Sequence, residues 1–543
     1  MEIVAVDAAE VRPMRSAILR PKQRAESLVY EGDALSGTLH AVARTEDGTT
    51  VGIVSVSPEP HPTRAEVGDW RVRGMATDPS VRGTGVGAAL LTFALDHARR
   101  AGGRRVWCNA RTSAVGFYRR FGMETEGEEF LHGDNIPHYV MSGPLSDERE
   151  DVVGPLAGIV VVDLTRALAG PHATMMFGDL GARVIKVEAP NGDDSRGWGP
   201  PFVTPPGGGQ RQSTYFLSTN RDKESIVLNL KSADGLATLT RLLERADVVC
   251  ENFRSGVMAR LGLSDERLLE INPRLVVLSI TGFGHDGPEG DRAGYDQIAQ
   301  GEAGFMSLTG SGPDDPQKSG VPVGDLIAGM WGAYGVLAAL LEREHTGRGQ
   351  IVRTSLLAGL VGVHAYQGTR WTIAGEVPRA QGNHHASISP YGLFHCRHGA
   401  VQLACGSEGL WRRLCAEFGL DPDAPGMATN AERVVHRDDV IATLEAVFAE
   451  SDSADLLARL DAAGVPAGRV RTLDEVYGWE QARSQRLSLD VTHPTLGTIT
   501  LPGSPLRFFA ASGDGVVETT RGRHDPPPLL DEHAAAIREW MDS

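Results

Sequence analysis

Residues 81–91 read VRGTGVGAALL, with three glycines at alternate positions behind Arg82. An apolar helical pattern follows at once and places Leu91, Ala94, Leu95 and Ala98 on one face. Glycine lets a backbone come close to a ligand, and a helix N-terminus presents unpaired N–H groups to an anion. The stretch therefore predicts a loop that holds a phosphate or pyrophosphate at the start of a helix.

Two common nucleotide-binding loops do not fit this stretch. A dinucleotide fold requires an acidic residue about 20 positions further on, at the end of the next strand. That strand runs from Val106 to Asn109 and has no acid at its tip. A Walker loop requires Gly-Lys-Ser/Thr, which is also absent.

The segments on either side of the loop indicate a different ligand. RGMATDP precedes the loop at residues 73–79, and NARTSAVGFYRRFGM follows the helix at residues 109–123. In this order the motifs of residues 1–143 resemble the GNAT acetyltransferase superfamily. The resemblance implies that the pyrophosphate belongs to coenzyme A, that Asn109 contacts it, and that Tyr118 protonates the departing thiolate. It places the pantetheine arm on Met75, Ala76 and Thr77, and the pyrophosphate on Arg82, Gly83, Thr84, Gly85, Val86 and Gly87.

Two alternatives stay open for this first segment. Tyr118 is also a packing aromatic beside Phe117 and Phe121. The glutamate that often serves as general base in GNAT enzymes is not evident in WRVRGMAT, residues 70–77. Acetylation of an amine and a role as an acyl-CoA sensor are therefore both consistent with the sequence.

Composition limits the class of protein. At 543 residues the chain is long enough for two or more domains, and its net charge of −17 argues against nucleic acid or an anionic membrane as a partner. The five cysteines form no C-x-x-C pair, which predicts reduced thiols and no metal site. No signal peptide is evident and no apolar run approaches the about 18 residues of a membrane span, so we expect a cytoplasmic protein.

The chain divides at a polar, acidic segment. SGPLSDEREDVVGPLAG, residues 142–158, has the composition of a linker. Apolar runs such as IVVVDL and ARVIKVE follow it and alternate with helical stretches, which predicts a doubly wound parallel sheet. The last fifty residues return to strand and helix and are expected to rejoin that sheet. The predicted boundaries are 1–143 for the first domain, 144–154 for the linker, and 155–543 for the second domain, with a large part at 155–374 and 494–543 and a small part at 375–493.

Ordered blocks after residue 153 resemble the class III CoA-transferase superfamily of the CaiB/BaiF type. They include LAGIVVVDLTRALAGPHATMMFGDLGARVIKVEAP, ADVVCENFRSGVMARLG and SGVPVGDLIAGMWGAYGVLAALLEREHTGRGQ. The resemblance implies a Rossmann-like large domain with a smaller α/β subdomain, in interlocked homodimers. The substrates it implies are an acyl-CoA and a small carboxylic acid, with no tightly bound cofactor.

The block VPVGDLIAGM, residues 321–330, contains a single acid, Asp325. An acid before an apolar helix often caps it. The resemblance implies instead that Asp325 is the nucleophile, and an aspartate is ordinarily ionised at neutral pH. It also assigns contacts with CoA to Arg166, Leu228, Lys231, Asn252, Phe253 and Arg260.

Two departures from related branches refine the expected activity. Racemases of this fold use a histidine in a Gly-His-Asp block, and here the block is Gly294-Tyr295-Asp296. Tyrosine is a poor base at neutral pH, so an α-methylacyl-CoA racemase is the less favoured alternative. The formyl-CoA:oxalate branch has glutamine immediately before Ala-Gly-Pro, where this chain has Leu168. A larger or more apolar acid, such as a branched dicarboxylate with succinyl-CoA as donor, fits better.

Overall fold

A computed structural model of the chain describes residues 2–45, 48–64, 68–101, 103–132, 135–145, 153–512 and 515–543. It divides into two units, residues 1–152 with 509–523 and residues 153–508 with 524–543. The predicted linker spans this division, and its residues 146–152 lie outside the described residues. Residues 509–523, which the sequence places in the large domain, group with the first unit.

The first unit contains a seven-stranded sheet in the order β1-β2-β3-β4-β5-β7-β6. Its strands are β1 (Glu2–Val6), β2 (Leu39–Arg44), β3 (Thr50–Ser57), β4 (Asp69–Thr77), β5 (Arg105–Arg111), β6 (Glu124–His132) and β7 (Ile136–Pro144), and its helices are α1 (Ala8–Met14), α2 (Val86–Arg100) and α3 (Val115–Arg119). All neighbours are antiparallel except β4 and β5, which are parallel. The four residues of the predicted apolar face of α2 are buried in the core.

The second unit is built on a six-stranded, wholly parallel sheet in the order β12-β9-β8-β13-β14-β15. The strands between residues 153 and 355 are β8 (Val160–Asp163), β9 (Arg183–Glu188), β10 (Phe202–Val203), β11 (Gln212–Ser213), β12 (Lys223–Val227), β13 (Val248–Glu251), β14 (Val276–Thr281) and β15 (Ile351–Ser355). The helices are α4 (Ala169–Asp179), α5 (Thr214–Ser218), α6 (Ala233–Arg245), α7 (Val257–Arg260), α8 (Asp265–Ile271), α9 (Asp296–Glu302), α10 (Val323–Thr346), α11 (Leu356–Gly362) and α12 (Ala365–Thr372).

Helices cover both faces of this sheet. The core on one face includes residues of α4 and α10, and the core on the other includes residues of α6 and of the C-terminal helix. Because both faces are covered, the strands are apolar on both sides, as the uninterrupted runs in the sequence indicate. The predicted doubly wound α/β class is confirmed.

A smaller part of the second unit follows α12. A three-stranded antiparallel sheet, β16 (Tyr391–His395), β17 (Ala400–Ala404) and β18 (Ala467–Gly468), packs with helices over a core that includes Phe394, Trp411 and Phe448. The helices are α13 (Glu408–Phe418), α14 (Asn430–Val435), α15 (Arg437–Phe448), α16 (Ser453–Ala462), α17 (Leu473–Gly478) and α18 (Glu480–Ser484). Its predicted boundary with the large part stays a prediction.

The C-terminal strands do not rejoin the parallel sheet. β19 (Ser488–His493) pairs with β20 (Gly497–Pro502), and β21 (Phe509–Ser512) pairs with β22 (Gly515–Glu518). Among the described residues, the parallel sheet contains no strand after β15. The terminal helix α19 (Ala534–Asp542) does return, because Ile537 and Met541 pack into the core of the parallel sheet. The expectation for this segment is therefore wrong for its strands and confirmed for its helix.

Helix α10 is long and apolar enough to cross a membrane, judged by length and composition alone. It is the one such helix among the described residues, and 44% of its most apolar stretch is buried inside the unit. The core helix of a soluble protein has the same length and composition, so α10 is weak evidence for a membrane span. The absence of a membrane partner stays a prediction.

Candidate active sites

Asp325 lies in the first turn of α10. Its side chain is largely buried, and no described residue donates a hydrogen bond to its carboxylate. The start of the helix is capped by Asp296 instead, whose Oδ1 accepts the Gly324 N–H at 2.8 Å. The capping role that the sequence left open for Asp325 therefore belongs to a residue of α9.

The surroundings of Asp325 disfavour its charged form. Burial, followed by repulsion from the Asp296 carboxylate, raises the pKa of Asp325 to about 7. Protonation of this carboxyl group therefore competes with its ionisation near neutral pH, unlike that of an ordinary aspartate. Burial raises the pKa of Tyr215 to about 12, with Asp325 as the next cause, so a protonated phenol lies near the same carboxyl.

Helix α4 approaches α10 one turn beyond Asp325. A Cβ at Gly329 would lie 2.6 Å from the carbonyl oxygen of Ala169 and 3.3 Å from Cδ2 of His172. Residues four apart share one face of a helix, so α4 faces the side of α10 that presents Asp325. Burial lowers the pKa of His172 to about 4, which keeps its imidazole neutral. The sequence analysis missed His172, although it stands in the block around Ala-Gly-Pro.

The turn before α4 connects this face to a cavity. Ala167 has a φ of +69°, and its N–H donates to Asp193 Oδ1 at 3.2 Å. Asn252 holds the neighbouring residue from both sides, because its Oδ1 accepts the Arg166 N–H at 3.0 Å and its Nδ2 donates to the Arg166 carbonyl at 2.7 Å. The Arg166 guanidinium lies 5.8 Å from the centre of the Phe253 ring.

The cavity has a volume of about 370 Å³ and opens at the carboxyl ends of β8, β9 and β12. Arg166, Leu228, Lys231 and Phe253, all predicted CoA contacts, line it. Asn252 reaches it through Arg166, whereas Arg260 is not among the lining residues. Ligands of open α/β sheets bind outside the carboxyl ends of the strands, as this cavity does.

Buried charges that the sequence analysis did not single out form the floor of this cavity. The Lys186 ammonium lies 2.9 Å from the Asp193 carboxylate and donates to the Thr165 carbonyl at 2.8 Å. The Arg196 guanidinium pairs with Glu188 at 2.7 Å. These two cations and two carboxylates offset one another, so the pairs add little net charge beneath the cavity. A signal was available, since a lysine inside the apolar run RVIKVE is uncommon.

One group of possible metal ligands occurs in the described residues, formed by Asp179, Asp222 and His524. Arg221 donates to both oxygens of Asp179 at 2.7 and 2.6 Å, and the His524 Nδ1 lies 2.6 Å from Asp222 Oδ2. The oxygen and nitrogen atoms that could ligate a metal already have hydrogen-bonding partners, so this group is a structural network. The expectation of no metal site stays a prediction.

The first unit has its own cavity, between β4 and β5. These strands pair only from Asp69 to Arg71 and then diverge, and a cavity of about 490 Å³ opens between them. Its lining includes seven residues that the resemblance assigned to CoA or to catalysis: Met75, Ala76, Thr77, Arg82, Gly87, Asn109 and Tyr118. The structure thus brings the separate motifs of this unit together around one opening.

The glycine loop enters α2 with an unusual backbone. Gly83 and Gly85 have φ angles of +82° and +91°, and a Cβ at either would meet nothing within 4 Å. Conformation therefore requires glycine here. No side chain caps the helix, so its first N–H groups are available to an anion. Arg82 and Gly87 line the cavity, whereas Gly83, Thr84 and Gly85 of the loop and Val86, the first residue of α2, are not among its lining residues.

Tyr118 both packs and reaches the cavity. Its ring lies edge-on to Phe117 with centroids 5.1 Å apart, and its hydroxyl lies 3.7 Å from the Met75 sulfur. Burial, and next Cys108, raise its pKa above the usual range, so the phenol keeps its proton. Both interpretations of Tyr118 left open by the sequence are therefore compatible with its position.

Several cavity residues were missed in the sequence. Arg20, Arg71, Arg73, Arg111, His132 and His138 also line the opening. The available signal was the spacing of Arg71 and Arg73, since residues two apart in a strand share one face; a register shift between β3 and β4 after Arg73 breaks this alternation before Met75. The residues from other elements had no such signal.

Comparison with known proteins decides the family. Residues 156–533 match the model of CoA-transferase family III. The chain belongs to CoA-transferase family III. Residues 9–123 match the Acetyltransferase (GNAT) family, so the fusion expected from the sequence is confirmed.

The match to relatives in family III extends over nearly the whole length of each relative. The chain is 40% identical to the succinate–glutarate CoA-transferase of Agrobacterium fabrum over 395 residues, which is 72% of this chain and 96% of the relative. It is 35% identical to the acetyl-CoA:oxalate CoA-transferase of Acetobacter aceti over 71% of this chain and 95% of the relative. A CAIB/BAIF family structure from Brucella suis matches with a TM-score of 0.63 and 38% identity, over 72% of this chain and 100% of that structure.

Membership of family III makes this chain an enzyme that transfers CoA, and the racemase alternative gains no support. Tyr295 stands at the position of the racemase histidine, directly before α9, and is 65% exposed. Its neighbour Asp296 is occupied in capping α10. Within the described residues, neither Tyr295 nor Asp296 is therefore placed as the base that the racemase alternative requires.

Proposed function

We propose that the second unit moves CoA from an acyl-CoA to a carboxylic acid through covalent intermediates on Asp325. The observation that supports this is a largely buried carboxylate with no hydrogen-bond donor among the described residues. It lies across from the α4 turn, whose other end lines the cavity with Arg166. A carboxylate without donors is a better nucleophile than a solvated one, and a closed site excludes water from the intermediates.

The proposed transfer proceeds in four balanced steps. The Asp325 carboxylate attacks the acyl thioester carbonyl, forms a mixed anhydride and releases CoA thiolate. The thiolate attacks the aspartyl carbonyl of the anhydride, which yields aspartyl-CoA thioester and frees the donor acid. The acceptor carboxylate then attacks that thioester, forms a second anhydride and releases the thiolate again. Attack of the thiolate on the acceptor carbonyl gives the new acyl-CoA and restores Asp325.

The substrates we propose are succinyl-CoA as donor and a dicarboxylate of about the size of glutarate as acceptor. The name of the Agrobacterium fabrum relative supports this class, and Leu168, which is buried at the start of α4, replaces the glutamine of the formyl-CoA:oxalate branch. A screen of acyl-CoA donors against carboxylic acids, read by product mass, tests it. Transfer to oxalate in preference to every longer dicarboxylate would contradict the proposal.

The CoA-transfer rate is expected to depend on the ionisation of Asp325. Only the carboxylate attacks, so kcat/KM should rise with pH, level off above the pKa of about 7, and fall about tenfold per unit well below it. Asp296→Asn keeps an oxygen to accept the Gly324 N–H but removes the repelling charge. It should move the midpoint of the profile to lower pH.

The control for this profile is Asp314→Asn, which alters an exposed aspartate before α10 and should leave the midpoint unchanged. An unchanged midpoint in Asp296→Asn would show that the two carboxylates are not coupled.

We propose that the first unit binds acetyl-CoA in the cavity between β4 and β5 and acetylates an amine, with Tyr118 as proton donor to the CoA thiolate. The buried, protonated phenol at the cavity supports catalysis. Acyl-CoA sensing without chemistry is the second candidate, favoured by the absence of an acidic base among the described lining residues. Acetyl-CoA binding without acetylation of any amine, and unchanged by Tyr118→Phe, would favour sensing.

We further propose a cytoplasmic homodimer without nucleic-acid or membrane partners. Large apolar side chains are exposed on α10, on α12 and directly after α12: Trp331, Tyr334, Leu341, Trp371 and Ile373. A second copy of the chain is the proposed cover. Light scattering should give twice the mass of one chain, and Tyr334→Glu with Leu341→Glu should shift the protein toward the monomer. Leu35→Glu, an exposed position in the first unit, is the control, and a wild-type monomer would contradict the proposal.

A further inference from the structure

The cavity of the first unit has a second end that CoA binding does not use. The proposed pantetheine and pyrophosphate contacts lie from Met75 toward Arg82 and α2. At the other end the lining consists of Arg20, Tyr30, Arg71, Arg73, His132 and His138. These residues come from four separate parts of the unit, namely the segment between α1 and β2, and strands β4, β6 and β7.

The residues of this end lie close to one another. The imidazole rings of His132 and His138 are 5.4 Å apart, edge to face. Burial is the main cause that lowers the pKa of His132. Repulsion from His138, Arg20 and Arg73 lowers it further, so both guanidinium groups lie close enough to disfavour a charged imidazole. The His138 Nδ1 lies 2.7 Å from the Ile136 carbonyl oxygen, which orients that ring.

The second end carries excess positive charge. Arg71 and Arg73 share one carboxylate, that of Glu59, at 3.2 and 2.8 Å. The Arg20 guanidinium donates one hydrogen bond, to the Leu19 carbonyl at 3.3 Å, within the described part of the chain. No aspartate or glutamate is among the described residues that line the cavity. This excess of charge stands out in a chain whose net charge is −17.

Such a cavity selects among amines by charge. A polyamine or a cationic peptide would bring positive charge against the arginines without a carboxylate to offset it. An amine that also carries a carboxylate would pair that group with a guanidinium, which matches it in a planar, two-pronged geometry. Its amino group would then point back along the cavity toward the thioester.

We propose that the first unit acetylates a small amine that carries a carboxylate, of the α-amino-acid class, with Arg73 and Arg20 binding the carboxylate and His132 accepting the ammonium proton. This rests on the proposed acetyl transfer. In the reaction the freed amine attacks the acetyl carbonyl, the C–N bond forms and the C–S bond breaks. The thiolate takes the Tyr118 proton, the phenol regains the proton that the new amide nitrogen sheds, and His132 releases its proton to solvent.

The test uses the full-length protein with Asp325→Ala, so that CoA transfer does not consume the thioester. Acetyl-CoA-dependent thiol release is measured with amino acids and with the matched amines that lack the carboxylate, and with spermidine. We expect kcat/KM for the best amino acid to exceed that of its decarboxylated partner at least about 100-fold. Equal rates with decarboxylated amines, preferred use of spermidine, or no acetylation of any aminocarboxylate despite acetyl-CoA binding would each overturn the proposal.

Variants separate the two ends of the cavity. Arg73→Gln should raise the KM of the amino acid at least about tenfold and leave the KM of acetyl-CoA unchanged. His132→Asn should lower kcat about 100-fold with little change in either KM. Arg24→Gln, an exposed arginine outside the cavity lining, is the control.

A rise in the KM of acetyl-CoA for Arg73→Gln would show that the arginines serve the CoA phosphates instead, and would overturn the assignment. If the wild-type protein showed no acetyl-CoA binding by calorimetry that Gly85→Glu removes, the proposed function itself would be refuted. The two failures are therefore distinguishable.

Discussion

Asp325→Ala is expected to lower CoA transfer by at least about 10⁴-fold, because the variant has no group on which the anhydride and the aspartyl thioester can form. The fold should persist, since the carboxylate accepts no hydrogen bond from a described residue and Asp296 caps the helix in its place. Removing a buried carboxyl with a raised pKa costs no interaction that the described structure contains. Measurement of succinyl-CoA consumption beside circular dichroism checks both statements.

Trapping of the intermediate gives a second measurement on the wild-type protein. Hydroxylamine added during turnover should convert Asp325 to a hydroxamate, which mass spectrometry of the peptide containing α10 would locate. Asp314→Ala, an exposed aspartate nearby, is the matched control and should transfer CoA at the wild-type rate. Near wild-type transfer by Asp325→Ala, or a hydroxamate on a different residue, would refute the assignment.

Gly85→Glu is expected to abolish acetyl-CoA binding by the first unit. Gly85 has a φ of +91°, which a residue with a Cβ adopts only with strain, and its position before α2 places a negative charge at the proposed pyrophosphate site. Calorimetry with the full chain should show one acetyl-CoA site lost, and CoA transfer by the second unit should be unchanged.

A second glycine provides a control for the added charge and backbone strain of Gly85→Glu, because only its position in the unit differs. Gly122 also has positive φ, +74°, with nothing within 4 Å of a built Cβ, but it lies between α3 and β6 and not at the start of α2. Gly122→Glu should therefore bind acetyl-CoA as the wild type does. Undiminished acetyl-CoA binding by Gly85→Glu would show that the loop keeps its shape without holding the cofactor.

The sequence by itself determined the order of the elements and the identity of both families. Apolar runs without alternation predicted strands covered on both faces, and six parallel strands with helices on either side are observed. The alternate glycines before α2 predicted its start, and Gly83 and Gly85 have the left-handed backbone that explains them. These signals are local, because each depends on residues within a few positions of one another.

The tertiary structure alone decided the environment of each functional group. Asp296 lies 29 positions before Asp325 along the chain, yet it caps the same helix and, with burial, raises the pKa of Asp325. Arg20, Arg73 and His132 converge from three separate segments on one end of a cavity. Burial and the charges of neighbouring groups act through space. The spacing of residues along the chain does not show which distant groups the folded chain brings together.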